Sequence, residues 1–302
     1  MVQLPPPYSY CLWTKVFGTR KGREPVVVLL TGGGAPCKVY ARLAEELGGW
    51  RCVVVYDRAG YGESGEMEKK KIMATDSAEE LAALLHVLRV RGPYVLLGHS
   101  YGAIIAREFV ELMNNRDGVV GLALIEPASE LLYHTYTPSI PPPAFDSLLR
   151  DVDVEKVLHL REESGLTDEE WDAMMEAISR TLPNARYEDC RSSGRILAGK
   201  KQMMAHVLDP WPVAVLRCNW YRDWKKLFVA GVVKGNGSVE EREEAQKFLW
   251  DVEVFDDEVR AGLVRRYRYF DDCGRDVPLR RPDVVREEVG WVMELLRERG
   301  LE

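Results

Sequence analysis

The stretch that decides the fold is VLLGHSYGAII at residues 95–105, an apolar run broken by Gly-x-Ser-x-Gly and resumed with helical spacing. The apolar residues before Gly98 predict a buried strand, and those after Gly102 predict an amphipathic helix. The two glycines remove Cβ atoms that would collide at a sharp turn, so the hydroxyl of Ser100 is expected to project freely from that turn. An ordinary strand-to-helix turn is the alternative interpretation.

Composition narrows the possible classes of protein. The chain has 302 residues, 46% of them hydrophobic and 29% charged, which predicts one core domain carrying an insertion. A formal net charge of −7 argues against a nucleic-acid partner, which requires a basic face. Residues 1–10 lack a basic segment followed by an apolar one, and no apolar run is long enough to span a membrane. We therefore expect no membrane partner and a cytoplasmic location.

The six cysteines are scattered, without C-x-x-C spacing or paired histidine ligands. Buried free thiols are the expected state, and no metal site, cofactor or disulfide framework is predicted.

Strand and helix patterns alternate along the chain. Apolar, β-branched runs of this kind are typical of strands covered on both faces of a parallel sheet. One or two edge strands are expected within residues 8–20, and buried strands at 26–30, 52–56, 93–98, 119–125, 213–218 and 264–271. The sequence predicts an α/β fold with a mostly parallel, eight-stranded sheet flanked by helices.

Residues 128–209 break this alternation. They contain prolines at 138 and 141–143, charged and Met-rich stretches with helical character, and no strand-like run. We expect a helical lid inserted into a core formed by residues 1–127 and 210–302. Its methionine and aromatic side chains either line a pocket or only pack within the lid.

The loop TGGG at residues 31–34 follows the first buried strand. It lacks the Lys-Ser/Thr ending of a phosphate-binding P-loop and the G-x-G-x-x-G spacing of a dinucleotide site. Because glycine has no Cβ, the N–H of Gly33 or Gly34 can approach the oxygen of a reacting carbonyl closely. We therefore interpret the segment as an oxyanion loop.

Four pieces of the chain resemble the α/β-hydrolase superfamily: TGGG at 31–34, YDRAGYGES at 56–64, the serine turn, and DCGRDVP at 272–278. The resemblance runs from about residue 25 to the C-terminus. It implies an α/β-hydrolase fold, a nucleophile elbow at the serine turn, a small-molecule substrate, and an oxyanion hole completed by the N–H of Tyr101. In the second piece, Asp57 and Arg58 are expected to pin the loop through ion pairs, with a chemical role as the alternative. The segment RRPDVV at 280–285 is similar to hydrolase-like proteins of filamentous fungi, including some from secondary-metabolite clusters.

The family's chain order of Ser, acid and His implies Ser100 as the nucleophile. The acid is expected at Asp223, after a later core strand, or at Glu126, which ends the preceding one. Where the family usually carries Gly-His, this chain reads Gly274-Arg275. An arginine stays protonated and cannot take the seryl proton, so the triad is incomplete.

Other interpretations of these residues stay open. Asp223 is alternatively a cap of the helix that follows it. Glu126 is alternatively the partner of Arg275, because a buried arginine in place of the histidine needs a carboxylate. His134 is the preferred candidate for a relocated base, and His99 within the turn is interpreted as structural. The remaining histidines, at 86, 159 and 206, are weaker candidates.

The incomplete triad directs the functional prediction. Without its histidine, a serine-hydrolase site retains roughly 10³- to 10⁴-fold catalysis over water, too little for an ordinary hydrolase. Condensation, cyclisation or carbon–carbon cleavage of a carbonyl compound, for example a polyketide-derived one, depends mainly on an oxyanion hole and positioning. We expect an enzyme of this kind, in which Ser100 donates a hydrogen bond or acts as a limited acid or base and Arg275 anchors or polarises the substrate.

Substrate contacts are predicted for Tyr133, His134 and Trp220. Two alternatives remain: a serine esterase, lactonase or thioesterase that uses His134 as its base, and a non-catalytic binding protein that has kept the pocket.

Overall fold

A computed structural model describes residues 1–113, 118–130, 133, 140–202, 207, 209–262 and 266–301, with the backbone alone for 253–262. The described strands are β1 (Val2–Gln3), β2 (Cys11–Leu12), β3 (Thr14–Phe17), β4 (Val26–Leu30), β5 (Val53–Tyr56), β6 (Tyr94–His99), β7 (Val119–Ile125), β8 (Val213–Cys218) and β9 (Arg266–Phe270). The described helices are α1 (Ala41–Gly48), α2 (Ala74–Val87), α3 (Tyr101–Met113), α4 (Ala144–Leu148), α5 (Val154–Leu158), α6 (Leu160–Ser164), α7 (Asp168–Ala185), α8 (Cys190–Gly199), α9 (Trp220–Val233), α10 (Val239–Gly262), α11 (Val277–Arg280) and α12 (Pro282–Glu298).

The main sheet has the strand order β3-β5-β4-β6-β7-β8-β9. β3 is antiparallel to β5, and every other neighbouring pair is parallel. The predicted mostly parallel α/β sheet is confirmed, but its described part contains seven strands where eight were expected. The difference arises because β2 pairs with β1 in a separate hairpin, with Val2 opposite Leu12, and does not join the main sheet.

Helices cover both faces of the sheet, which explains why its central strands are apolar without alternation. Val28 of β4 packs in one cluster with Leu81 of α2 and Phe109 of α3. The next position back, Val27, points to the other face and packs in a cluster with Val289 of α12. All five side chains of β4 are buried, and each such side chain contributes roughly 1.5–3 kcal/mol relative to exposure.

Between β7 and β8 the chain forms the helices α4 to α8, within the segment predicted as an insertion. Part of this segment packs on the excursion that follows β8. Phe145 of α4 lies edge-on to Trp224 of α9, with ring centroids 4.9 Å apart, and to Phe248 of α10 at 5.6 Å. The role of the segment as a lid stays a prediction. Among the helices that the structure describes, none combines the length and apolar character needed to cross a membrane.

Candidate active site

The residues proposed for chemistry follow the carboxyl ends of neighbouring strands. Thr31 follows β4, Ser100 follows β6, Glu126 follows β7, and Asp223 lies in the first turn of α9 after β8, while Arg275 follows β9. Carboxyl ends of parallel strands meet at one edge of a sheet, which is where α/β proteins bind ligands. The topology therefore brings residues that are far apart in sequence to one end of the molecule.

Ser100 occupies the sharp turn between β6 and α3 with a φ of 50°, in the left-handed region. Its N–H donates to the carbonyl of Ile125 at 3.0 Å, and its own carbonyl accepts from the N–H of Ala128 at 3.1 Å. A Cβ on Gly98 would lie 2.9 Å from Ala103 Cα, and one on Gly102 would enter the β4 backbone. The glycines therefore allow the tight turn that the sequence predicts, and Ser100 Oγ makes no hydrogen bond to any described residue.

The two glycines proposed for the oxyanion hole differ in their contacts. The N–H of Gly34 donates to Tyr61 Oη at 2.8 Å, so Gly34 is not available as predicted. A Cβ placed on Gly33 would approach other atoms no closer than 3.8 Å, and Gly33 lines the cavity beside Ser100. Tyr101 begins α3, where a backbone N–H has no partner within the helix. Of the N–H groups predicted to bind an oxyanion, those of Gly33 and Tyr101 are therefore the two without an acceptor among the described residues.

Arg58 holds the loop at residues 31–34 in place, whereas the sequence predicted that Arg58 and Asp57 would pin their own loop at 56–64. Its guanidinium donates to the carbonyls of Thr31 at 2.8 Å and Gly32 at 3.0 Å. Its charge is balanced by Glu188 at 2.8 Å, with both side chains almost fully buried. Glu188 also accepts a 2.6 Å hydrogen bond from Tyr61 Oη. Sequence reasoning missed Glu188, because it reaches the loop from the segment between β7 and β8.

His99 has a structural role next to the serine. The N–H of Gly32 donates to Tyr40 Oη at 2.9 Å, and Tyr40 Oη lies 2.7 Å from His99 Nδ1. Burial lowers the pKa of His99 to about 4, so the ring is neutral near pH 7, and its Nδ1 is engaged in the hydrogen bond with Tyr40. This nitrogen supports the oxyanion loop and is not available to accept the seryl proton.

Asp223 lies beneath the loop that carries Arg275. Asp223 is fully buried, and its Oδ2 accepts from the N–H of Arg275 at 2.9 Å. Arg280 supplies the counter-charge, with an Nη1–Oδ2 distance of 3.1 Å. Burial raises the pKa of Asp223, and the Arg280 charge opposes that shift. The alternative role as helix cap is wrong, because α9 begins at Trp220 and Asn219 caps it.

The predicted pairing of Glu126 with Arg275 is also wrong. Glu126 is buried, and its Oε1 accepts a hydrogen bond from the N–H of Cys218. The guanidinium of Arg275 instead lies over the ring of Trp224, 4.8 Å from the ring centroid, and over Trp220 at 6.0 Å. Arg275 forms no ion pair with any residue that the structure describes. Stacking on aromatic rings therefore takes the place of the expected carboxylate contact.

A cavity of about 380 Å³ opens at this end of the sheet. It brings together Gly33, Ser100, Tyr101, Tyr133, Trp220 and Arg275, all of which the sequence predicted. Asp223 and Glu126 do not line this cavity. His134 lies outside the described residues, and no described residue of the lining is a histidine.

Some lining residues carried no signal in the sequence. They include Ile140, Glu188, Asp189, Cys190, Arg191 and Trp224. Burial raises the pKa of the Cys190 thiol to about 12, so this cysteine is not a thiolate nucleophile near neutral pH. A larger cavity of about 640 Å³ lies between α2 and α3, near His86 and Arg91, and none of the predicted site residues lines it.

The other two described histidines lie away from the serine. His86 lines that larger cavity, and His159 pairs with Glu162 at 2.9 Å in an exposed position. His206, like His134, falls outside the described residues.

The elbow, the oxyanion loop and the strand order define the class of protein. A profile of the α/β hydrolase family matches residues 27–288, and the chain belongs to that family. It is similar to an AB hydrolase superfamily protein of Gibberella zeae, with 27% identity over 290 residues that cover 91% of this chain and 88% of that protein.

Two solved structures share the fold at low sequence identity. One comes from a study of carboxylesterases of the thaumarchaeon Nitrososphaera gargenis. It has a TM-score of 0.60 and 13% identity, and the match covers 98% of this chain and 99% of the chain in that structure. Est816, described as an N-acyl homoserine lactone degrading enzyme, provides another, with a TM-score of 0.54, 13% identity and coverage of 95% and 98%. At these identities the likeness concerns the fold alone.

Proposed function

We propose that this protein is an enzyme that acts on a small carbonyl compound through an enolate or alkoxide, without forming an acyl-serine. One observation carries the proposal: the guanidinium of Arg275 lines the same cavity as Ser100. We assign Arg275 to the position that the catalytic histidine holds in the family. A guanidinium cannot take the seryl proton, but it stabilises an adjacent oxyanion.

The roles of the cavity residues follow from this proposal. The N–H groups of Gly33 and Tyr101 hold the developing oxyanion, and Arg275 adds a positive charge beside it. Each well-placed donor of this kind is worth roughly 10²- to 10³-fold in rate. Ser100 donates a hydrogen bond or transfers a proton, since Oγ has no partner among the described residues. Asp223 and Glu126 act as positioning residues beneath the cavity.

Several reaction classes fit such a site. Condensation, cyclisation and carbon–carbon cleavage of a carbonyl compound all pass through an enolate or an alkoxide, and we place the reaction among them. Our candidate substrate is a fungal metabolite, for example a polyketide-derived one; the chain is similar to a protein of the fungus Gibberella zeae. We also assign the insertion at 128–209 the role of a lid over a core of 1–127 and 210–302, because Glu188 from it completes the oxyanion loop. A cytoplasmic location is part of the same proposal.

The proposal is tested with a ligand whose absorbance changes when it loses a proton to form an enolate. The enolate of 1-phenylbutane-1,3-dione absorbs differently from the neutral form, so its ionisation can be titrated while bound. A positive group in contact lowers such an ionisation midpoint by about 1–3 pH units. We expect a shift of this size with the wild type and its loss with Arg275→Gln, while Arg91→Gln, far from the cavity, leaves it unchanged. An unshifted midpoint in the saturated wild-type complex would contradict the proposal.

A second candidate is a serine esterase, lactonase or thioesterase in which His134 is the base. It is favoured by one observation: Tyr133, its neighbour in sequence, lines the cavity. This candidate predicts a burst of p-nitrophenol from p-nitrophenyl esters that is lost in both Ser100→Ala and His134→Ala. A burst that survives His134→Ala would exclude His134 as the base. Unchanged product formation in Ser100→Ala would favour the non-catalytic binding protein.

A further inference from the structure

We propose that the cavity selects an anionic substrate, a planar oxo acid, whose carboxylate is bound by Arg191 while its carbonyl lies beside Ser100 and Arg275. The identity of the carbonyl end rests on the proposed function. The carboxylate end is inferred independently, from the charges and unpaired donors of the cavity wall.

The charged residues of the cavity wall do not balance. Of its two carboxylates, Glu188 is paired with Arg58 at 2.8 Å and Asp189 with Lys71 at 2.9 Å. Arg191 and Arg275 line the same cavity, and neither forms an ion pair with a residue that the structure describes. The lining therefore carries two guanidinium charges that no described side chain neutralises.

Of these two arginines, Arg275 was predicted from the sequence as a site residue and Arg191 was not. Arg191 lies in the first turn of α8, where Asp189 is the N-cap and binds the N–H of Ser192. Its Nε is shielded from solvent and has no acceptor in the described part of the chain. Shielded donors in folded proteins nearly always have an acceptor. A bound carboxylate supplies an acceptor to this guanidinium in the geometry that arginine prefers.

The uncharged part of the wall favours a flat, acceptor-rich ligand. Tyr133, Trp220 and Trp224 line the cavity with aromatic rings. The indole N–H groups of both tryptophans also lack an acceptor among the described residues. The volume of about 380 Å³ falls in the range of roughly 300–1,000 Å³ typical of small-molecule sites. A planar compound matches a wall of aromatic rings, and its carboxylate matches the unpaired guanidinium of Arg191.

The experiment compares an acid with its uncharged counterpart. 4-Oxo-4-phenylbutanoate carries a ketone, a ring and a carboxylate, and its primary amide has nearly the same shape without the negative charge. We expect calorimetric titration of the wild type at pH 7.5 to show at least about tenfold tighter binding of the acid, since one charge-assisted contact is worth at least that factor. Arg191→Gln is expected to abolish the preference while still binding the amide. Arg91→Gln, which removes an exposed arginine near the other cavity, is the matched control.

The outcomes separate this inference from the proposed function. Equal binding of acid and amide to the wild type, or no binding of the acid at about 5 mM, would overturn the carboxylate site. A preference that survives in Arg191→Gln would also overturn it. Rapid acylation of Ser100 by esters would contradict the proposed reaction but would leave the charge preference intact. Thermal unfolding of each variant excludes loss of folding as the cause.

Discussion

Gly274 lies directly against the carboxylate of Asp223, and this contact restricts the residue that can occupy the turn. A Cβ on Gly274 would overlap the carboxylate atoms, and the next N–H, that of Arg275, donates to Asp223 Oδ2 at 2.9 Å. The turn and the buried acid therefore form one unit, and this unit directs the Arg275 side chain into the cavity.

Gly274→Ala is accordingly expected to lower the free energy of unfolding by about 1–3 kcal/mol, the usual cost of overpacking a buried site. Urea denaturation measures the change. Gly199→Ala is the control, because nothing lies within 4 Å of the Cβ position at Gly199 and the substitution should be neutral or slightly stabilising. Equal stability of Gly274→Ala and the wild type would show that the turn does not depend on this contact.

Single residues could be predicted from sequence where their roles depend on local motifs. Ser100 and Gly33 were predicted because glycine spacing marks tight turns, and Arg275 because it stands where the family that the chain resembles carries Gly-His. The partner of Arg275 could not be found this way, since charge type does not reveal which acid lies nearby in space. Arg280 balances Asp223, and aromatic rings receive Arg275.

At the scale of elements, Arg58 and Glu188 join the loop after β4 to the segment between β7 and β8. The two side chains are 3% and 4% exposed and lie 2.8 Å apart. Backbone contacts reinforce the junction, because Ile72 N–H donates to the carbonyl of Tyr187 at 2.7 Å and its carbonyl accepts from Asp189 N–H at 2.8 Å. The loop at residues 31–34 therefore depends on the segment between β7 and β8 for its shape.

Removing one partner of a buried pair leaves an uncompensated charge, so Glu188→Gln is expected to cost about 3–5 kcal/mol in unfolding free energy. Guanidinium denaturation, fitted to a two-state transition, provides the value. Glu46→Gln is the comparison, because Glu46 pairs with Arg42 at 3.5 Å in a solvent-accessible position and should change stability by less than about 1 kcal/mol. Similar losses in the two variants would contradict the importance of burial.

The succession of elements was largely predictable, because a strand covered on both faces must be apolar throughout, as in β4 and β6. The number of strands in the main sheet was not predictable. The sequence of residues 8–20 does not reveal whether a short strand there pairs with the sheet or with residues 2–3. The contacts of the insertion were also not predictable. They depend on distant packing, such as that of Phe145 on Trp224, and leave no periodic pattern.

At the scale of the whole molecule, Glu80 connects three parts of the fold. It is buried on α2, accepts from Tyr10 Oη at 3.0 Å, and accepts from the N–H of Ala59 in the loop after β5. Burial raises its pKa from 4.5 to about 7. The native state therefore holds a proton on Glu80 at pH values where the unfolded chain has already released it.

The sign of the pH dependence follows from this difference. Between about pH 4.5 and 7 the folded state binds more protons at Glu80, so this residue's contribution to stability falls as the pH rises and levels off above about 7. Glu80→Gln lacks this titration, so its stability relative to the wild type should rise on the order of 3 kcal/mol across that interval.

Urea unfolding at a series of pH values measures the difference. Glu79→Gln, one residue earlier and exposed, should leave the wild-type profile unchanged. A constant offset between Glu80→Gln and the wild type at all pH values would mean that Glu80 has an ordinary pKa.

The acylation state of Ser100 tests the absence of a working triad most directly. The proteins are incubated with a fluorophosphonate and their intact masses are measured over time, with Ser100→Ala as the control. We predict no adduct on the wild type and an adduct on Ser100 in Arg275→His, where an imidazole replaces the guanidinium in the cavity. Rapid, stoichiometric labelling of wild-type Ser100 would contradict the proposed function and would place a base within reach of the serine.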